Sequence, residues 1–394
     1  MYRYLPFNCW LSVYLLLASC SSGKPASFWD KCDVIAHWEV IDGDSVMVCD
    51  ADKAIKSNNV PLDLITEQFR VIKLDSRAQI NDRLCDTYVT DNHIGIFCYG
   101  SFPLKLFKKD GTFLQEIGSL GKGTGEYPTI SDVEIDEKNN HIYILPADIP
   151  EGKRLLQYDL KGNYLQEIPL ADKVGFVSSV KVYPEKQQLV VTSPICPRFP
   201  QLHVWIQDFH GNLIQGVRSE KYDSNIYRTN STMTYTHTNS IELFKLAYEN
   251  SHEYLYHYDI AANKLVPRFR VQTDLSSIYV YELPSCYIVE ESKIMGGADE
   301  CTEKLIVDKK TLKGCKFDGF ITPDGLLLDQ YDILYKAHAG YFSVMDYGSV
   351  IAEKIKKINR SSLTEQQRDN LGALQQIINK EGEDCRLLFI AKFR

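Results

Sequence analysis

Gln157-Tyr158-Asp159-Leu160-Lys161-Gly162-Asn163-Tyr164-Leu165 decides the fold: an apolar strand ends on an aspartate, a short turn carries a glycine, and a second apolar strand follows. Residues 106–114, 206–214, 256–265 and 305–312 repeat that plan. With Lys108, Asp159, Asp208, Asp259 and Asp308 taken as equivalent, the copies stand 51, 49, 51 and 49 residues apart. So regular a period marks a repeat architecture. About 50 residues accommodate one four-stranded propeller blade, and the 3.6-residue apolar periodicity of an α-solenoid is absent. The chain reads as all-β: a six-bladed β-propeller of four-stranded antiparallel blades, with one C-terminal helix before the closing strand.

Outward from that segment, five blades fall at about 82–118, 130–170, 176–218, 231–271 and 277–318, and the sixth takes the residues after Gly319. Upstream, Asp42-Gly43-Asp44 between two apolar stretches signals a hairpin. Downstream, Ser362-Leu363-Thr364-Glu365 is a capping box, and Leu363, Leu371, Leu374 and Ile378 share one face of a helix running to about Lys380. A ring of blades leaves open strand edges at its two chain ends. Residues 69–75 and 386–393 are therefore expected to pair in one blade and close it.

The N-terminus carries a different signal. Arg3 precedes a short apolar run from Trp10 to Ala18, then Leu17-Ala18-Ser19-Cys20. The run is too short for a permanent membrane span and reads as a secretory signal. Small residues before Cys20 resemble the lipobox of bacterial lipoproteins, in which Cys20 would carry lipid; the alternative is a plain signal peptide and an ordinary thiol. The division that follows is 1–19 signal peptide, 20–29 lipidated tether, 30–68 N-terminal hairpin and lead-in, and 69–394 propeller. Such an anchor places the protein on a membrane without a spanning helix. A net charge of −8, with no long basic cluster, argues against nucleic acid as a partner.

Nine of the 11 cysteines lie beyond Cys20. A two-residue turn at Asp91-Asn92 would put Cys85 directly opposite Cys98. Two readings stay open: a cross-strand disulfide in an oxidising compartment, or two buried thiols. No C-x-x-C or H-x-x-x-H spacing suggests zinc.

Phe107-Lys108-Lys109-Asp110-Gly111-Thr112-Phe113-Leu114-Gln115-Glu116-Ile117-Gly118, running into Gly121-Lys122-Gly123-Thr124-Gly125-Glu126-Tyr127, is similar to the signature of six-bladed β-propeller lipoproteins of Gram-negative gut bacteria, related to NHL-repeat (TolB-like) propellers. The resemblance covers about Val46 to the end. It implies a propeller lipid-anchored in the cell envelope, facing the periplasm or the exterior, and Ser21 after Cys20 resembles outer-membrane sorting. Members of such families are mostly of unknown biochemical role, so no activity follows.

Candidate chemistry lies where inner strands begin. Aligned blades put Asp86, Asp132 and Ser179 in equivalent positions, where they would ligate calcium or magnesium, act as an acid/base pair, or hold ordered water. The glycine-rich stretch 118–125 fits no phosphate-loop spacing and reads as the crossing between two blades, with Glu126 and Tyr127 on the ligand face. Tyr235 and His237 sit in an aromatic-rich stretch suited to a rim that stacks on sugar or peptide, although alternation on one strand face explains Tyr254, Tyr256 and Tyr258 without a ligand. No cofactor is required. The leading reading is a non-catalytic binding or scaffolding module for a glycan, peptide or envelope protein. The alternative is a hydrolase or lyase with metal and carboxylates in the channel. A third, a purely structural partner, would show an exposed apolar patch on the outer edge.

Overall fold

The computed structural model describes residues 27–56, 59–81, 85–98, 100, 102–147, 152–174, 178–193, 202–218, 233–235, 241–244, 254–272, 277–295, 298–328 and 340–394. Cys20 and His237 lie outside them, as does the side chain of Tyr235.

The 50-residue repeat has a local cause. In the strand–turn–strand unit, Asp159 Oδ1 accepts the amides of Lys161 (2.9 Å) and Asn163 (2.8 Å), while Oδ2 accepts the Asn163 side-chain amide (2.8 Å). Asp208 repeats this with His210 and Asn212. The Asn163 side-chain bond, above all, holds the Asp159 carboxyl below the usual carboxylate range. In the first copy Lys108 cannot play this part, and Asp110 accepts the Thr112 amide instead, at 2.9 Å. Aspartate recurs because a tight turn leaves backbone N–H groups without partners, which a short carboxylate can reach.

Seven sheets of three or more strands follow one another along the described chain. Blade I comprises Cys85–Val89, His93–Cys98, Phe102–Lys108 and Phe113–Ile117; blade II comprises Ile130–Asp136, His141–Pro146, Arg154–Asp159 and Tyr164–Pro169; blade III comprises Ser179–Tyr183, Gln188–Thr192, Leu202–Asp208 and Leu213–Arg218. Blade IV holds Met233–Tyr235, Ile241–Phe244, Tyr254–Asp259 and Lys264–Gln272; blade V holds Ser277–Glu282, Cys286–Met295, Ala298–Asp308 and Lys313–Phe317. Blade VI is a short sheet of Phe320–Ile321, Leu327–Leu328 and Val60–Pro61, and blade VII joins Tyr341–Tyr347, Arg386–Phe393 and Thr66–Lys73.

This corrects the expected six blades to seven. The residues after Gly319 carry two sheets, and the first escapes a period search because its strands are two residues long and its third comes from Val60–Pro61. Four antiparallel strands describe blades I to III only. Blade IV gains the hairpin Ala36–Ile41/Asp44–Asp50, whose second strand runs parallel to Lys264–Gln272, and blade V gains Asp33–Val34. The single expected helix is likewise two: α1, Gly348–Lys356, buries Ile351, Ala352 and Ile355, and α2, Glu365–Glu381, buries Leu371, Leu374 and Ile378. The capping box of α2 uses Thr364 and Gln367, two residues beyond the pair read from sequence.

Apolar side chains from facing sheets fill each seam. Ile72, Leu388 and Ile390 of blade VII meet Ile94, Ile96 and Phe107 of blade I; Leu104 and Leu106 meet Val133 and Ile144; Tyr143 and Leu155 meet Val180 and Trp205. Val204 and Ile206 meet Tyr258 and Leu265, and Phe269 stacks on Tyr287 at 4.0 Å between blades IV and V. Blades V, VI and VII share the last cluster with both helices, which returns the circuit to its start. Burying each such side chain contributes about 1.5–3 kcal/mol. Closure is covalently indirect: Thr66–Lys73 lies antiparallel to Arg386–Phe393, with Thr66 opposite Phe393 and Lys73 opposite Leu387. The lead-in thus runs along the outer edges of blades V, IV, VI and VII in turn.

The glycine-rich stretch carries the chain from blade I to blade II. At Gly118 φ is +70°, and an added Cβ would stand 2.8 Å from both Tyr127 Cε1 and the Tyr158 hydroxyl. Gly372, inside α2, has open space around it. Gly118→Ala is expected to lower unfolding free energy by about 1–3 kcal/mol, and Gly372→Ala to raise it by about 0.5–1 kcal/mol. Denaturant titration of the two variants checks both signs.

Candidate functional site

Along Ile130–Asp136, alternation puts Val133 and Ile135 on one side and Asp132, Glu134 and Asp136 on the other. The first strand of blade III lies beside it with amides at the same two-residue repeat. Asp132 Oδ2 accepts the Val180 amide at 2.9 Å, Asp132 Oδ1 its neighbour Val133 at 2.8 Å, and Glu134 Oε2 the Val182 amide at 2.6 Å. Glu134 also takes the Lys181 ammonium. Burial pushes the Glu134 carboxyl up, and the facing Lys181 charge only partly draws it back. These carboxylates replace the ladder that two neighbouring blades cannot form with each other. Elsewhere hydroxyls do the same: Tyr88 reaches the Ile135 backbone, and Thr87 meets Ser343 of blade VII.

The residues singled out from sequence are therefore dispersed. Asp132 is 1% exposed and engaged in the clamp; Ser179 is buried at the start of its strand; Asp86 is half-buried at the second position of Cys85–Val89. Glu126 closes the crossover, accepting the Gly123 amide at 2.8 Å. Tyr127 is fully buried, its hydroxyl donating to the Ile117 carbonyl and accepting the Leu104 amide at 2.9 Å. None of these five lines the cavities described next.

Open space lies at the other end of the same strands. A cavity of about 400 Å³ is lined by Tyr88 to Asp91, Glu134 to Asn139, Lys181, Val182, Pro184, Glu185 and Tyr341. Asp91, Glu134, Asp136, Glu137 and Glu185 set five carboxylates against the ammonium groups of Lys138 and Lys181. A second cavity, about 460 Å³, runs outward between blades II and III past His141, Gln157, Gln166 and Phe209, and shares Asn139, Pro184 and Glu185 with the first. Together they make a mouth and a radial groove.

Its walls are fixed by hydrogen bonds. Burial works against ionisation of Glu137, but bonds from Thr90, His93 and Asn92 outweigh it and hold its pKa below the usual value. Tyr341 donates to Asp91 at 3.2 Å, and Lys109 covers the Tyr341 ring at 4.0 Å while donating to the Thr90 carbonyl. Burial brings the Lys109 pKa down to about 8. Among the described residues, no three His, Cys, Asp or Glu side chains converge to hold a metal. The turn at Asp91-Asn92 is legible in the sequence; its sharing a site with the connections at 137–140 and 184–187 is not. The available signal was that all three join first to second strands, and so share one end of the molecule.

Cys85 and Cys98 face each other in the register inferred from sequence and form a disulfide, with Cα atoms 4.4 Å apart. Of the two readings left open, the structure has the bridge.

The family model of a domain of unknown function, DUF4934, matches residues 46–360. The chain belongs to the DUF4934 family. The match starts within the lead-in hairpin and ends after α1, so it takes in blades I, II, III and VI whole, and blades IV and V without the strands Ala36–Ile41 and Asp33–Val34. Among solved structures, this DUF4934 member is similar to the "Putative exported protein" of Bacteroides fragilis at 16% identity and a TM-score of 0.58, covering 88% of this chain and 100% of that one. That likeness supports the fold. It is also similar to a protein of unknown function from Bacteroides caccae (11% identity, TM-score 0.39, 66% and 84% covered) and to a member of the duf4221 family from Bacteroides vulgatus (11%, 0.39, 84% and 97%). No curated protein matches.

If Asp132 is a structural clamp, Asp132→Ala strands a buried amide. It is expected to lower stability by about 1–3 kcal/mol, with Asp86→Ala well below that, in parallel denaturant titrations.

Proposed function

We propose that this DUF4934 protein is a non-catalytic binding module whose mouth and radial groove take an extended polar ligand, a glycan or a peptide segment of an envelope protein. The observation that carries it is the pairing of open space with spent chemistry. About 400 Å³ of polar-walled volume adjoins the groove, while Asp132, deeper in, and Glu134, on the cavity wall, are occupied by backbone amides and Lys181. Threonine, asparagine, tyrosine and carboxylate groups suit hydroxyl-rich or cationic partners, and His141 and Phe209 offer ring surface along the groove. The test is a glycan-array and peptide-library screen followed by titration calorimetry. A ligand is expected whose affinity falls about tenfold, the equivalent of ~1.4 kcal/mol, in Glu185→Ala. The reading fails if neither library yields a ligand, or if a ligand binds Glu185→Ala and Asp91→Ala as it binds the parent.

The protein works, on this reading, outside the cytoplasm, lipid-anchored through Cys20 to the outer membrane. Three observations support it: the lipobox-like Leu17-Ala18-Ser19-Cys20, the Cys85–Cys98 disulfide, and the likeness to a protein named as exported. Cys20→Ala should move the protein from the membrane fraction to the soluble fraction of cells; retention in the membrane would sink the anchor.

A further inference from the structure

A second pair of cysteines stands in the relation that Cys85 has to Cys98. The lead-in strand Asp33–Val34 runs antiparallel to Lys313–Phe317 of blade V, with Asp33 opposite Gly314 and Val34 opposite Lys313. One step further, that register sets Cys32 opposite Cys315. Cys32 is extended, at φ −102° and ψ 147°, so strand geometry carries through it. The chain around it is held in place: Lys313 Nζ donates to the Trp29 carbonyl at 3.1 Å, and both cysteines are buried in the apolar cluster shared by blades V, VI and VII.

Backbone parity makes the pair close. The Ile35 amide donates to the Leu312 carbonyl at 3.0 Å, so Ile35–Leu312 and Asp33–Gly314 are the hydrogen-bonded pairs of this ladder. Cys32 and Cys315 then fall at the non-hydrogen-bonded spacing, about 4.5 Å between Cα atoms. The Cys32 amide obeys this, turning away from Cys315 to the Trp29 carbonyl at 3.2 Å. Cys85 and Cys98 occupy the same kind of position, and their Cα atoms are 4.4 Å apart. A disulfide takes Cα separations of about 4.4–6.8 Å. The two side chains meet as well, since the Cys315 thiol hydrogen-bonds that of Cys32. Other cysteines among the described residues have no such counterpart: Cys49 stands opposite Ala36 and Val271, Cys286 opposite Asp308, Cys301 opposite Ser292, and Cys385 lies outside the strands.

We propose that Cys32 and Cys315, thiols in this structure, are the site of a second disulfide that staples the lead-in to blade V. The proposal rests on the location outside the cytoplasm inferred above. The oxidant is another disulfide. The Cys32 thiolate attacks one of its sulfurs, forming a mixed disulfide and expelling the other sulfur as a thiolate; the Cys315 thiolate then attacks the Cys32 sulfur and expels the second. Two protons pass from the cysteines to the expelled thiolates, so the oxidant leaves as thiols, carrying the two electrons. Burial raises the pKa of the Cys32 thiol once it is docked. Its attack therefore belongs to the stage before the lead-in is covered, and docking brings up Cys315 to finish the exchange. The bond spans 283 residues of sequence, from 32 to 315, against 13 for Cys85–Cys98. It holds the lead-in ahead of its first strand, where fraying of that segment would begin.

The full chain, produced in cells with its own N-terminal signal, is denatured without reductant while a maleimide blocks every thiol. Peptide mapping by mass spectrometry is expected to give a cross-linked peptide joining Cys32 to Cys315, beside the one joining Cys85 to Cys98. On non-reducing gels the long loop keeps the denatured chain compact, so its band runs ahead of the reduced one. Cys32→Ala and Cys315→Ala should each abolish that shift, and the double variant Cys85→Ala/Cys98→Ala should keep it. Peptide mapping needs no variant, so it decides the matter where a variant fails to fold. Maleimide on Cys32 and Cys315 beside an intact Cys85–Cys98 bridge overturns the proposal alone; maleimide on all four overturns it together with the oxidising location. Either cysteine joined to a different partner overturns it too.

Discussion

Everything in this molecule depends on an apolar layer that has no end. Each blade is a sheet with two faces to bury and nothing but its neighbours to bury them against, so a linear stack would leave the first and last faces wet. The cycle from Ile72 and Leu388 through Val133, Trp205 and Phe269 back to Phe389 removes that problem. It does so only while Thr66–Lys73 stays paired with Arg386–Phe393. The hydrophobic effect supplies most of the stabilisation, and eight residues of β-ladder decide whether it can act all the way round.

The centre needs a second solution. First strands of adjacent blades approach one another without forming a ladder, leaving backbone amides that must find acceptors in a dry interior. Asp132 and Glu134 supply two, and Tyr88 reaches the backbone of Ile135 from the blade before. A carboxylate on a propeller axis thus has a structural occupation before it has a chemical one. The open chemistry is displaced to the turns at the far end of the same strands.

Legibility followed locality. The hairpin turns were readable because Asp159 and Asp208 each bind amides within four residues. The Cys85–Cys98 register followed from one two-residue turn, and the closing strands from the edges a ring must cover. Helix α1 was missed because nine residues give the periodicity of Ile351, Ala352 and Ile355 little room to show. Blade VI was missed because its partner strand lies at Val60–Pro61, far away in sequence. The site was the least legible part. Asp91, Glu137 and Glu185 come from three different blades, and what Asp132 does is set by which amide blade III presents to it.

The outer strap formed by residues 33–73 has a kinetic side. It leaves the ribosome before its partner strands at 264–272, 313–317, 320–321 and 386–393. The strap must therefore wait, unpaired, while the blades between are made. Such high contact order slows the final step of folding. It also leaves the strap's strand edges exposed in the interval, where a holdase would have the most to protect.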